Sequence, residues 1–381
     1  MLKNVLLTDV FNLYNRGERL QVDALRKLPL RLGLLSLFGF MDAEYCEHHK
    51  IEVVGWHRPL PLPLFFLIFF MQYLRAWLYY VSGVKGFLSP LLRKVVKYEF
   101  AVDLGGETFT TYAKWWYAYK HIFTLHILKL LQVPYGVMSQ TILLKEGVTR
   151  SLGRHVLTHA EFITTRDLPS YRLMKSFHLQ HVHLFLDVAF SVSPFIVLPE
   201  RNSLRIGVNL SPFVASNLGS YIVLVVKLVN QGYEVVLIPH VIYNAKRDDR
   251  KVLWSLYQAL PLWCKSHVGV LLLDDFEYIQ GMIHSCNVMI SSRMHLAIYS
   301  LSIGIPTILL GYSHKSRYLQ EQIGDHLFLV AKDDPELPHK IVEHIHMIKK
   351  HYDSFVDQLR KDIKKIKEES YGHITMLLQS V

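Results

Sequence analysis

The sequence predicts an α/β protein of two doubly wound domains, each a parallel sheet covered by helices on both faces, with a cleft between them. Three observations predict it. Short apolar runs of strand length alternate with amphipathic stretches of helix length along most of the 381 residues, as parallel strands buried on both faces require. The alternation halts at a polar stretch, residues 199–203 (PERNS), and then restarts. The composition, 51% hydrophobic and 19% charged, supplies core enough for two domains of ordinary size and excludes a disordered chain.

The elements follow in order. Residues 4–10 (NVLLTDV) read as a buried strand, followed by a polar turn and a helix over about 19–28. A second apolar run spans 50–56. A strand then ends at Asp103 before Gly105 and Gly106, and further strands are expected at 134–144, 160–167 and 181–190. After the linker come strands at 204–210, 234–240, 269–275, 287–291 and 306–311, with helices over about 218–231, 249–264, 276–285 and 293–303 between them. The predicted domains are 1–200 and 203–350. A charged amphipathic helix within 351–381 is expected to lean back on the first domain.

Residues 58–97 interrupt this pattern with an intensely apolar, aromatic insertion. Its charge-free run, 59–74, is 16 residues, short of the roughly 20 that span a bilayer. Extending it to Val84 sets Arg75 near the bilayer centre, at a cost of about 2.5–3.5 kcal/mol. Lys85, Arg93, Lys94 and Lys97 follow closely. The stretch therefore predicts a helix or hairpin lying in the headgroup region of an anionic membrane; burial within the protein or at a dimer contact is the competing reading.

The formal net charge is +10, with 21 histidines besides, which favours anionic partners. The basic residues are scattered and carry no nucleic-acid-binding motif, so no nucleic-acid partner is expected. Cys46, Cys264 and Cys286 lack the spacing of a disulfide framework or a zinc site. The amino terminus has neither a signal-peptide core nor a cleavage site. The expected location is cytoplasmic, peripheral at the inner face of the membrane.

In doubly wound sheets ligands gather beyond the carboxyl ends of strands. The stretch SSRMHLAIYSLSIGIPTILLGYSHK, residues 291–315, lies at two such junctions. Ser291 or Ser292 is expected to cap the next helix, with Arg293 in its first turn and His295 just after. A helix N-terminus already attracts anions, and a guanidinium adds bidentate recognition of phosphate or carboxylate. Histidine is the side chain best suited to move a proton near neutral pH. Gly304 suits the helix C-terminus, Pro306 stops continuation, and after Tyr312 comes Lys315, able to close on the same anion.

This stretch resembles the signature of the polysaccharide pyruvyl transferase family, S-x-R-L-H-x-x-I-x-A-x-x-x-G-x-P followed by a strand and Tyr-x-x-Lys. Other segments agree in order. NLYNRGERL is similar to the family's N-x-G-D loop, with Glu18 for Asp. AVDLGGETF resembles its D-x-x-x-x-G-G-G loop, with Glu107 for a third glycine. SQTILL is a poorer match to G-Q-S-I-G-P. AEFITTRDLPS resembles A-D-x-I-x-x-R-D-x-x-S, LDVAF resembles D-P-A-F, and HVIYNAKRDDR (240–250) resembles a P-H-x(n)-D-D loop.

The resemblance implies two Rossmann-like domains in a glycosyltransferase-B arrangement. It implies transfer of pyruvate from phosphoenolpyruvate to two hydroxyls of a sugar, possible on a lipid-linked acceptor, giving a cyclic ketal. Phosphoenolpyruvate is a co-substrate, and the scheme needs no metal or redox cofactor. Arg293, Arg166 and Lys315, with Ser292, Tyr312 and His295, are the expected phosphoenolpyruvate contacts. His295 is either the general acid/base or a phosphate partner. Asp187 and Asp167 are either bases and hydroxyl acceptors or simply a cap and an ion-pair partner. Asn15, Glu18, Gly105, Gly106 and Glu107 fall on the acceptor side. Two alternatives stand beside this: a nucleotide-sugar-dependent glycosyltransferase of the same architecture, and an inactive scaffold in glycan assembly. The acceptor sugar and the oligomeric state stay open.

Overall fold

The computed structural model describes residues 2–8, 10, 13–36, 42–55, 61–106, 109–111, 115–192, 204–242, 247–273, 275–312 and 314–381. The expected linker at 199–203, Glu107, and the start of the apolar insertion at 58–60 lie outside these residues. The chain forms two compact units, one of Met1–Tyr14, Glu18–Val188 and Glu369–Val381, the other of Asn15–Gly17 and Ala189–Glu368.

The first stretch runs β1 (Lys3–Thr8), α1 (Arg16–Arg26), β2 (Leu30–Ser36), α2 (Ala43–His48), β3 (Glu52–Gly55), α3 (Leu62–Ser82) and α4 (Pro90–Val95). It continues through β4 (Phe100–Leu104), α5 (Trp115–Leu130), β5 (Tyr135–Gln140), α6 (Val148–Leu157), β6 (Ile163–Thr165), α7 (Leu168–Ser176) and β7 (Val182–Leu184). Among the described residues these strands make one parallel sheet in the order β3-β2-β1-β4-β5-β6-β7. Every residue of β4 and β5 is buried, as strands covered on both faces require.

The second unit contains β8 (Arg205–Asn209), α8 (Leu218–Asn230), β9 (Glu234–Leu237), α9 (Asp249–Ala259), α10 (Leu262–Lys265), β10 (Val268–Val270) and α11 (Phe276–His284). Then follow β11 (Val288–Ser291), α12 (Met294–Ser302), β12 (Thr307–Gly311), α13 (His314–Ile323), β13 (Leu327–Ala331) and α14 (Leu337–Lys350). Its parallel sheet has the order β10-β9-β8-β11-β12-β13. Strand order reverses between β1 and β4 in the first sheet and between β8 and β11 in the second, the two places where ligands collect in such folds. The last helix, α15 (Tyr352–Ser380), ends within the first unit.

Several elements depart from the sequence reading. The strand β2 is not apparent in LRLGLLS, which lacks β-branched residues and carries Gly33. A Cβ at Gly33 would fall 2.0 Å from the Tyr98 hydroxyl, so glycine is set by packing rather than by a turn. The strand β13 was equally unmarked. The helix expected over 249–264 is two, α9 and α10, because Pro261 follows Leu260 in extended backbone. The strand expected over 269–275 is only Val268–Val270. The N-cap of α12 is Arg293 itself, in extended backbone, not Ser291 or Ser292. Gly304, at φ +89°, takes the left-handed position that ends α12.

Candidate active site

The reversal point of the second sheet brings cations together. The backbone N–H of Arg293 donates to Ser291 Oγ at 3.0 Å, and its guanidinium turns to Asp249, with Nη2 donating to Oδ1 at 2.6 Å and Nε at 3.2 Å. Asp249 is fully buried. It also accepts from Asn209 Nδ2 at 3.1 Å and from the backbone N–H groups of His240 and Val241 at 3.1 and 3.0 Å. One carboxylate thus ties the ends of β8, β9 and β11 together and fixes the guanidinium, whose other contacts are the Arg247 carbonyl and the Phe213 ring, 5.4 Å away. Phe213 in turn stacks on Tyr312 at 5.4 Å.

Arg16 joins this unit from the start of α1. It is buried, donates to the Pro239 carbonyl at 2.9 Å and lies 5.5 Å over the Phe276 ring. The adjacent residues complete the contact: Asn15 bridges Val241, and a Cβ on Gly17 would fall 2.5 Å from His295 Nδ1. His240 is buried too. Burial above all, and then Arg16, His295 and Arg293, hold its pKa well below the usual histidine value, so it is neutral at pH 7. Its Nε2 has no hydrogen-bond partner among the described residues. Arg16, Arg293 and His295 around His240, with Asp249 holding Arg293 in place, make a place suited to a small polyanion.

The remaining expected contacts are placed as follows. His295 is half-buried in the first turn of α12, and Lys315 half-buried in the first turn of α13. Ser292 is fully buried, its hydroxyl accepting from Ser211 N–H at 2.7 Å and donating to Asn209 at 3.2 Å, so its bonds are internal.

The first unit has its own buried polar cluster beyond β4 to β7. Arg166 donates to Asp187 at 2.6 Å, to Thr141 Oγ1 at 3.1 Å and to the Gly106 carbonyl at 2.9 Å. Asp187 also accepts from Gln21 at 3.4 Å. Asp167 caps α7 through Ser170 N–H. Asp187 thus pairs with an arginine and Asp167 caps a helix, contacts that the sequence reading allowed beside a catalytic role. Arg166 belongs to the first unit. Gly105 is required where it stands, since a Cβ there would lie 2.2 Å from the Ser139 carbonyl. Deeper in, Asp103 accepts from Gln140 and pairs with His121 at 2.9 Å. Glu18 is half-buried in the first turn of α1.

A family model described as polysaccharide pyruvyl transferase matches residues 43–314, well over half of the chain. The chain belongs to the polysaccharide pyruvyl transferase family. The amylovoran biosynthesis protein AmsJ of Erwinia amylovora is 30% identical over 101 residues. That match spans 26% of this chain and only about a quarter, 24%, of the relative. Among solved structures, a glycosyltransferase from Rickettsia africae has a TM-score of 0.62 at 9% identity, covering 99% of both chains. Anabaena HepE in complex with UDP has a TM-score of 0.60 at 13% identity, and UDP-GlcNAc 2-epimerase of Neisseria meningitidis 0.58 at 11%, each covering 100% of both chains. At these identities the likeness shows the fold, that of two Rossmann-like domains as in glycosyltransferase-B proteins.

Sequence reasoning passes over two residues of the second-unit cluster. Asp249 was signalled only by the resemblance of 240–250 to the family's P-H-x(n)-D-D loop. Arg16 lies in the stretch that resembles the family's N-x-G-D loop, but as that loop's variable position it is not singled out by the resemblance.

Proposed function

We propose that this protein transfers pyruvate from phosphoenolpyruvate to two hydroxyls of one sugar in a polysaccharide or glycolipid precursor. The observation that carries the reading is the set of Arg16, Arg293 and His295 around His240, with Asp249 holding Arg293, at the reversal point of the second sheet, in a chain of this family. Phosphoenolpyruvate brings a phosphate and a carboxylate on three carbons. Arg293, held in place by Asp249 through Nε and Nη2, keeps Nη1 as a donor toward one of them, and Lys315 and Arg16 add charge. His295 is the proton carrier.

In the proposed reaction C3 of phosphoenolpyruvate gains a proton, leaving oxocarbenium character at C2. One sugar hydroxyl forms a bond to C2 and loses its proton. The second hydroxyl forms the other C2–O bond as the C2–O bond to phosphate breaks. Of the two hydroxyl protons lost, one balances that taken up at C3 and the other leaves with phosphate. Neutral His240 lies beside these charges and lends the site an uncharged polar ring, held neutral by burial and by Arg16, His295 and Arg293. Glu18, Gly105, Gly106 and Glu107 of the first unit are the proposed acceptor contacts.

The test is donor-specific protection. Phosphoenolpyruvate should raise the melting midpoint of the full chain, and incubation with a panel of lipid-linked and nitrophenyl sugars should release phosphate for at least one. Protection by a nucleotide sugar and not by phosphoenolpyruvate would transfer the protein to the glycosyltransferase reading.

A further inference from the structure

The helix α3 is apolar on every side, yet the first unit covers only one stripe of it. Phe65, Phe69 and Ala76, spaced for one helix face, are 2%, 8% and 0% exposed. Phe69 and Tyr73 meet Phe123 of α5 edge-on, and the Tyr73 hydroxyl reaches His126 Nδ1 at 3.0 Å. At 100° per residue the opposite face carries Leu67, Phe70, Met71, Leu74, Leu78 and Val81. Leu67, Phe70 and Val81 are 59%, 61% and 65% exposed, with Trp77 and Tyr80 toward the C-terminal end also exposed. A surface helix of a water-soluble domain turns polar residues outward, and a contiguous apolar face of this extent marks a contact surface.

Charge selects the occupant. From residue 53 to residue 98 the sequence contains Arg58, Arg75, Lys85, Arg93, Lys94 and Lys97 and no aspartate or glutamate. Arg75 lies on the flank of the outward face, its guanidinium directed to the Phe87 carbonyl at 3.4 Å. Lys94, on α4, and Lys97 line a cavity of about 620 Å³ together with Arg26, Arg31, His49 and Lys50, with Glu52 the acid among them. A second copy of this chain would bring the same cations against themselves; an anionic bilayer complements both the apolar face and the charges.

We propose that α3 docks the protein on an anionic lipid surface, lying in the plane of the headgroups. The helix is about 30 Å long and one stretch of it, Pro63–Ser82, is long and apolar enough to cross a bilayer. Spanning, however, would strip the Phe65–Phe69–Ala76 stripe from α5 and carry Arg75 into the hydrocarbon. Lying flat keeps the stripe packed, buries the outward face and leaves Arg75 and Lys85 at headgroup depth. This inference is independent of the proposed chemistry.

The experiment is flotation of the full chain with vesicles of 30% phosphatidylglycerol in phosphatidylcholine, beside vesicles of phosphatidylcholine alone. Wild type should float with the anionic vesicles and at least fivefold less with the neutral ones. The triple variant Leu67→Ser, Phe70→Ser, Leu74→Ser, which changes only exposed side chains, should float at least tenfold less while its melting midpoint and circular dichroism stay those of wild type. Lys85→Gln with Lys97→Gln, which leaves the apolar face intact, should lose at least threefold on anionic vesicles. No flotation of wild type, equal flotation of the triple variant, or equal binding to both vesicle types would overturn the proposal. So would a wild-type dimer that falls to monomer in the triple variant without either floating.

Discussion

The guanidinium of Arg293 and the carboxylate of Asp249 show how much of a site is set by one buried charge. Removing Arg293 would leave Asp249 inside the fold with its amide donors but no counter-ion, at a cost of about 3 kcal/mol or more. Arg293→Ala therefore confounds stability with function, and Arg293→Lys is the cleaner change: it keeps the charge and gives up the fork. We expect Arg293→Lys to lower kcat/KM for phosphoenolpyruvate about 10–100-fold with a modest loss in Tm. His295→Gln should lower kcat about 10²–10⁴-fold, leaving thermal protection by phosphoenolpyruvate largely in place. Gly17→Ala puts a methyl 2.5 Å from His295 Nδ1. It should reduce kcat through the displaced imidazole with little change in Tm, and steady-state kinetics beside a melting curve will show whether it does. Arg293 and His295 were legible in the sequence because they sit on one strand-to-helix junction. Asp249 and Arg16 were not, because their parts depend on contacts 44 and 223 residues away along the chain.

Among the elements, α15 carries the clearest pH dependence. Its His373 is fully buried, its Nε2–H donating to the Leu186 carbonyl at 2.7 Å and its Nδ1 accepting from the Thr164 hydroxyl at 2.6 Å. Thr164 Oγ1 itself accepts from Ser139 N–H. The ring is neutral: burial pushes its pKa down to about 4, against the opposing pull of Leu186 and Asp187. Since the unfolded histidine titrates near 6.5, the unfolded chain takes up the proton first. The stabilisation is present above about pH 6.5 and is lost as pH falls toward 4, on the order of 3 kcal/mol in all. His373→Asn should be less stable at pH 7.5 but flatter between pH 6.5 and 4, as urea melts across that range will report. Elements marked by β-branched or uninterrupted apolar runs, such as β4 and β11, were legible. The strand β2 was not, because its Leu-rich sequence suits a helix equally and Gly33 answers to Tyr98 from another part of the chain.

For the whole molecule, ligand and acid should act on different units. Phosphoenolpyruvate at about 100 times its dissociation constant adds roughly 2.7 kcal/mol to the state that binds it. Scanning calorimetry should show that increment on the transition of the second unit, while His373→Asn shifts that of the first. A single transition displaced equally by both would mean that the units melt together. The division into two doubly wound sheets was readable from the repeated alternation of runs. That Asn15–Gly17 joins the second unit was not, since nothing in a polar turn reveals which sheet it will meet.

That threading has a consequence for biosynthesis. Residues 369–381 emerge from the ribosome only after the 180 residues of 189–368, roughly 10–40 s later at ordinary elongation rates. The later-made unit already has its three early residues and can close first. Meanwhile Phe185, Leu186 and Thr164, which receive Gly372 and His373, wait uncovered, a window in which a nascent chain is open to chaperones or to aggregation.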